Sequence, residues 1–225
     1  MLHYLETNRL TPEVICIQES FLKEPKKFHI DGYEELRKDR IETPGGGLIS
    51  YIKKGIQFKQ LEEPQGLECQ IFELLLGKKE KITIINVYNP PGNKIDEDKY
   101  KILFKNRKAI ILGDFNAKNP LWKHEKLNDQ GTALEKLIET HQFVVINTGK
   151  PTYRKENGGM SILDLAFVSN SLALKCKWDT IEDTLGSDHL PVVISINEQA
   201  PIEPDGGTKW NVKKADWPLF KTLCK

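Results

Sequence analysis

Asp114 and Asn116, an acid and an amide two positions apart, stand at the end of the apolar run Ala109, Ile110, Ile111, Leu112, with Gly113 between. The run predicts a buried strand, and strand side chains alternate between faces, so both polar groups project the same way. Gly113 leaves room for a backbone turn or for close approach of a ligand. A carboxylate beside an amide can handle water at phosphorus.

Other polar groups fall at the ends of strand-like runs. Glu19 follows Val14 to Gln18 and is a suitable hard-oxygen ligand for Mg²⁺ or Mn²⁺. Tyr88 closes the run from Ile82 and enters the rigid turn Asn89, Pro90, Pro91, Gly92. Asp164 interrupts the otherwise apolar Ile162 to Phe167, and a buried acid needs a partner. Asp188 and His189 stand just before Leu190 to Ile196, which makes Asp164 and His189 a candidate pair. Singly, each is explained by the usual polarity of strand ends. Jointly they have the composition of a one-metal phosphodiesterase site.

Elements must exist to hold these groups. Strand-like runs recur at Val14–Ile17, Leu48–Ile52, Ile71–Leu76, Ile82–Tyr88, Ala109–Leu112, Phe143–Ile146, Leu163–Val168 and Leu190–Ile196. Helical patterns are fewer: Leu2–Asn8, Ile95–Lys105, and Thr132–His141 with an apolar stripe of Ala133, Leu134, Leu137 and Ile138. The helices lie between groups of strands rather than after each one, so two packed sheets flanked by helices fit better than a doubly wound fold. Gly45, Gly46 and Gly47 precede a strand without the Lys-Ser/Thr ending of a P-loop, and read as a hairpin turn.

The 225 residues carry 33 Lys and Arg against 32 Asp and Glu, so overall charge does not announce a nucleic-acid binder. Lysine clusters at Lys23–Lys27, Lys53–Lys54, Lys78–Lys81 and Lys99–Lys108 would suit a phosphate-tracking rim, though ordinary solvated surface is the better reading of any single cluster. Four scattered cysteines offer neither a zinc pattern nor a disulfide framework, and the apolar runs are of strand length, which predicts no membrane insertion and a cytoplasmic or nuclear setting. Pro201, Pro204, Gly206 and Gly207 read as a linker, ending one domain at 197.

The blocks Ile17-Gln18-Glu19-Ser20, Asn86-Val87-Tyr88-Asn89-Pro90-Pro91, Gly113-Asp114-Phe115-Asn116-Ala117, Ser161-Ile162-Leu163-Asp164 and Ser187-Asp188-His189-Leu190-Pro191 resemble, in order, the endonuclease/exonuclease/phosphatase superfamily. Gly45-Gly46-Gly47, Asn119-Pro120-Leu121-Trp122 and Pro151-Thr152-Tyr153 look like the endonuclease domain of non-LTR, LINE-type retrotransposons.

The resemblance implies an α/β fold, a four-layer sandwich of two mixed sheets flanked by helices. It implies a Mg²⁺- or Mn²⁺-dependent DNA endonuclease with Glu19 and Asp188 toward the metal. Tyr88, Asp114, Asn116, Asp164 and His189 would be catalytic, and Asn119, Trp122, Thr152 and Tyr153 would be DNA-facing. Residues 1–197 would be the nuclease, lacking the family's first strand, and residues 198–225 a linker leading to a reverse transcriptase. The expected partners are DNA and that reverse transcriptase, and the expected place of action is the nucleus. A catalytically inactive DNA-binding remnant and a phosphatase of the same superfamily are the alternatives.

Overall fold

The computed structural model describes residues 2–8, 10–41, 43–76, 80–105 and 108–197. The expected linker at 198–225 lies outside the described residues. In chain order the elements are α1 (Leu2–Thr7), β1 (Val14–Gln18), β2 (Tyr33–Lys38), β3 (Leu48–Lys53), β4 (Gln57–Gln60), β5 (Cys69–Leu76) and β6 (Glu80–Tyr88). Then follow α2 (Glu97–Leu103), β7 (Ala109–Asp114), α3 (Asp129–His141), β8 (Phe143–Val145), β9 (Tyr153–Arg154), β10 (Met160–Ser161), β11 (Asp164–Ser169), β12 (Cys176–Thr180) and β13 (Val192–Ile196).

The main sheet runs β4-β5-β6-β7-β11-β8, with β6 and β7 parallel and its other neighbours antiparallel. A second sheet, β1-β3-β2, is antiparallel, as are the pairs β9–β10 and β12–β13. One face of the main sheet buries Ile71, Ile85, Ile111 and Phe167 against Tyr100 and Leu103 of α2 and Leu134, Leu137 and Ile138 of α3. The other buries Phe72, Ile84, Ile110 and Val168 with Ile52 of β3, while Val14 and Cys16 of β1 close the layer. Central strands are therefore apolar on both faces, as their unbroken hydrophobic runs require.

Capping sets the helix starts. Asn128 accepts from the Gly131 amide, so α3 begins at Asp129, three residues before the expected Thr132. Asp96 caps α2 in the same way. The triple glycine lies in the connection of the β2–β3 hairpin, where the sequence placed a turn.

Some expectations need correction. β1, at the edge of its sheet, is half-buried along its whole length. β13 starts at Val192, since the Leu190 amide is already engaged by the Thr152 carbonyl and Pro191 has no N–H to give. The strands β2, β4, β9, β10 and β12 were not marked by hydrophobic pattern; β4 reads Gln-Phe-Lys-Gln and β12 Cys-Lys-Trp-Asp-Thr.

Candidate active site

Three neighbouring strands bring their polar ends into one row. Tyr88 is the register partner of Asp114 across β6–β7, and Asp114 is the partner of Asp164 across β7–β11. Register partners share a face, so a phenol and two carboxylates stand side by side. Gly113 makes this possible: its φ is +140°, and a Cβ there would overlap the Val87 carbonyl oxygen.

Asp114 is buried, with 5% exposure. The Asn116 backbone N–H donates to its Oδ1 at 2.9 Å, and Asn116 Nδ2 donates to its Oδ2 at 3.0 Å and to the Asn89 carbonyl at 3.0 Å. Asn116 holds a left-handed backbone to do so, φ +48°, which asparagine tolerates better than most residues. Burial, then the neighbouring charge of Asp164, pushes the Asp114 carboxyl up to about 7, against the Asn116 N–H and the His189 charge.

Asp164 pairs with His189: its Oδ2 lies 2.8 Å from Nδ1. Burial works to lower the imidazole pKa, but the hydrogen bond and charge of Asp164, with the fields of Asp114 and Asp188, win and raise it to about 9. The ring is thus cationic at neutral pH. Asp164 is itself fixed by Thr152, whose Oγ1 accepts from the Leu163 and Asp164 amides at 3.0 Å each. The Tyr153 ring lies 4.8 Å from the imidazole, and the two residues are antiparallel bridge partners.

Glu19 faces this row from the second sheet. Tyr88 Oη donates to Glu19 Oε1. Glu19 has φ +51°, uncommon for a residue with a side chain. Burial raises its carboxyl above the usual range, opposed by the charges of His189 and Arg40. Asp188 is exposed, and its charge is felt at both Glu19 and His189.

Among the described residues no three acidic, imidazole or thiol side chains converge as a metal cage. The donor set still fits Mg²⁺, which commonly takes one or two carboxylates and fills its remaining positions with water and substrate phosphate. A desolvated carboxylate at Glu19 is the type of group a cation relieves.

The expected DNA-facing group divides. Asn119 is 2% exposed, caps the turn Pro120–Trp122, and donates to the Gly131 carbonyl and Glu135. Trp122 is fully buried against Phe167, its indole N–H on the Ala117 carbonyl, and Thr152 is fully buried under Asp164. This corrects the expectation for Asn119, Trp122 and Thr152, whose side chains are spent inside the fold. Tyr153 instead lines a cavity of about 250 Å³ with Asn116, Lys118, Gln130, Lys155 and Ser161.

Sequence reasoning missed several supports. Asn89 Nδ2 holds the Phe115 carbonyl, Asn128 Nδ2 holds the Asn116 carbonyl, and His124 Nε2 meets Ser161 Oγ at 3.0 Å. Asn89 could have been found beside Tyr88, and Asn128 from its capping position before the α3 stripe.

The two-sheet α/β sandwich and its row of strand-end groups resemble the endonuclease/exonuclease/phosphatase superfamily. Residues 82–193 match the endonuclease-reverse transcriptase family, and the chain resembles the endonuclease domains of non-LTR retrotransposons. It is 29% identical over 216 residues to the RNA-directed DNA polymerase from mobile element jockey of Drosophila melanogaster, covering 93% of this chain and 23% of the relative. The jockey protein of Drosophila funebris is 24% identical over 215 residues, with coverage of 93% and 23%. The chain thus spans less than a quarter of the length of these relatives. Among solved structures, the endonuclease domain of TRAS1, a telomere-specific non-LTR retrotransposon, superposes with a TM-score of 0.73 at 19% identity, covering 88% of this chain and 91% of that one. This kinship supports a nuclease-type hydrolase.

Proposed function

We propose that the chain is a divalent-metal-dependent DNA endonuclease that nicks target DNA for retrotransposition, acting in the nucleus for a reverse transcriptase of the same element. The observation that carries this reading is the in-register row Tyr88, Asp114, Asp164, completed by His189 on Asp164 and Glu19 on Tyr88.

Glu19, with Asp188 beside it, would hold Mg²⁺ or Mn²⁺, and such an ion supplies positive charge against the phosphate oxygens. Asp114, poised near neutrality and aimed by Asn116, accepts a proton from the attacking water. Water adds at phosphorus, the P–O3′ bond breaks, and the departing oxygen takes a proton from solvent to leave a 3′-hydroxyl. Cationic His189, oriented by Asp164, draws a non-bridging oxygen through Nε2, which has no protein partner among the described residues. The Tyr88 phenol steadies the charge that develops. Tyr153, Lys118 and Lys155 supply the adjoining DNA surface.

A supercoiled-plasmid nicking assay with and without Mg²⁺ tests the reading. Metal-dependent nicking that is lost in Glu19→Ala and His189→Ala is the expected result. Nicking that persists in both variants, or its absence in the parent chain, overturns it.

A further inference from the structure

Glu19 is held by more than Tyr88. The amides of Ser20 and Phe21 donate to the carbonyls of Gly47 and Gly46, each at 3.0 Å, so the triple-glycine loop fastens the backbone just after Glu19. The Gly47 amide donates to Glu68 Oε1. Glu68 Oε2 accepts from both Nε, at 2.9 Å, and Nη2 of Arg40. The Arg40 guanidinium lies 5.3 Å from the centre of the Tyr88 ring, and Tyr88 donates to Glu19. The contacts close on themselves: Glu19, Tyr88, Arg40, Glu68, Gly47, Ser20 and back to Glu19.

From this closed circuit we infer that Arg40 and Glu68 are positioning residues that fix the Glu19 carboxylate and the Tyr88 phenol through the Gly45–Gly47 loop. The inference rests on the nuclease reading above for its functional consequence and on the circuit itself for its structural one. Arg40 and Glu68 are mostly buried, with side chains 20% and 16% exposed, so the pair is shielded from the screening that makes exposed ion pairs weak. A planar guanidinium can hold a carboxylate and lie on a ring at once, which an ammonium cannot. Gly46 is part of the device, because a Cβ there would overlap the Arg40 guanidinium. Glu19 and Phe21 both adopt φ +51°, a conformation that persists only where the surroundings over-determine it, and this circuit does so.

The test compares the full chain with Arg40→Lys and Glu68→Gln in three measurements. Outer supports of a metal ligand are worth about 10- to 100-fold in affinity or rate, so Mn²⁺ affinity, read by calorimetry, and nicking turnover should both fall about tenfold or more. KM for plasmid should stay close to the parent value, because neither residue is placed against DNA. Backbone amide exchange at Ser20 and Phe21 should quicken in both variants, with protection in β7 and β11 retained. Unchanged protection at Ser20 and Phe21 overturns the inference. So does a drop in melting temperature with Mn²⁺ affinity and turnover intact, the mark of a purely structural pair. If the parent chain neither binds Mn²⁺ nor nicks, the nuclease reading fails by itself, and amide exchange alone decides whether the circuit holds Glu19.

Discussion

Asp114 and Asp164 are direct cross-strand partners, and of the two acids it is Asp164 that is hydrogen-bonded to the His189 imidazole. Like charges directly opposite one another in a sheet are destabilising. The two acids consequently separate in role. Asp164 carries a counter-charge and orients it; Asp114 is left to hold a proton near neutrality. In the proposed reaction that division would make one the base and the other an anchor.

Asp114→Asn should therefore cost turnover far more than DNA binding. Loss of a positioned general base lowers rate by about 10²- to 10⁴-fold, and steady-state nicking with a parallel gel-shift titration measures both. A variant that retained more than a third of the parental rate would remove Asp114 from the chemistry.

Stability of the metal-free protein should fall as pH rises. His189 is raised from 6.5 to about 9 in the fold, so its contribution is whole below about 6.5 and is lost as pH climbs through 9. The full shift corresponds to at most about 3 kcal/mol. Asp114, raised from 3.8 to about 7, adds a second loss in the same direction between those values. Urea unfolding at pH 6 and pH 9 should show the decline, and Asp164→Asn should flatten its upper part. A slope that survives in Asp164→Asn would show that this pair is not its source.

Thr152→Val keeps the shape of the side chain and removes the acceptor of two buried amides. An unsatisfied buried donor costs about 1–3 kcal/mol, so chemical denaturation should register a loss in that range, accompanied by slower nicking as Asp164 loosens. A stable variant with parental turnover would mean that water or a backbone shift replaces the hydroxyl.

The boundary between what the sequence reveals and what it conceals follows from locality. β6, β7 and β11 announce themselves because burial on both faces demands consecutive apolar residues, and their ends carry the polar groups of the candidate site. Edge elements are under no such demand: β2, Tyr-Glu-Glu-Leu-Arg-Lys, has two exposed glutamates and no hydrophobic alternation to mark it. Asp164 needed a partner and His189 was the available one, so that pair was legible. Thr152 was not, because its role arises from two amides 11 and 12 residues away. Trp122 misled for a related reason: an aromatic beside a loop resembles a base-stacking group until its burial under Phe167 is seen.

Gly113→Ala should be severely destabilising. The new methyl would meet the Val87 carbonyl, and φ +140° strains any residue with a Cβ. Separating β6 from β7 breaks the center of the main sheet, so a loss above about 3 kcal/mol is expected by denaturant titration. A loss under 1 kcal/mol would show that the parallel pair can slide apart at low cost.

Lys118 and Lys155 flank the cavity beside Asn116. If each neutralises one DNA phosphate, Lys118→Ala and Lys155→Ala should each reduce the slope of log affinity against log salt by about one and weaken all duplexes alike. Unaltered salt slopes would place the duplex elsewhere.

The β9–β10 hairpin and the histidine segment are bound together by backbone hydrogen bonds as well as by the Tyr153–His189 ring contact: the Arg154 amide to the Asp188 carbonyl at 2.8 Å, the Leu190 amide to the Thr152 carbonyl at 2.7 Å. Lys155 and Tyr153 ride on that hairpin, and His189 rides on the rung beside it. In the proposed reaction, seating of a substrate against the hairpin and aiming of the imidazole would therefore be one mechanical event. If a duplex seats there as proposed, a shift of the hairpin would carry the histidine with it, and substrates would be told apart without any residue that reads a base.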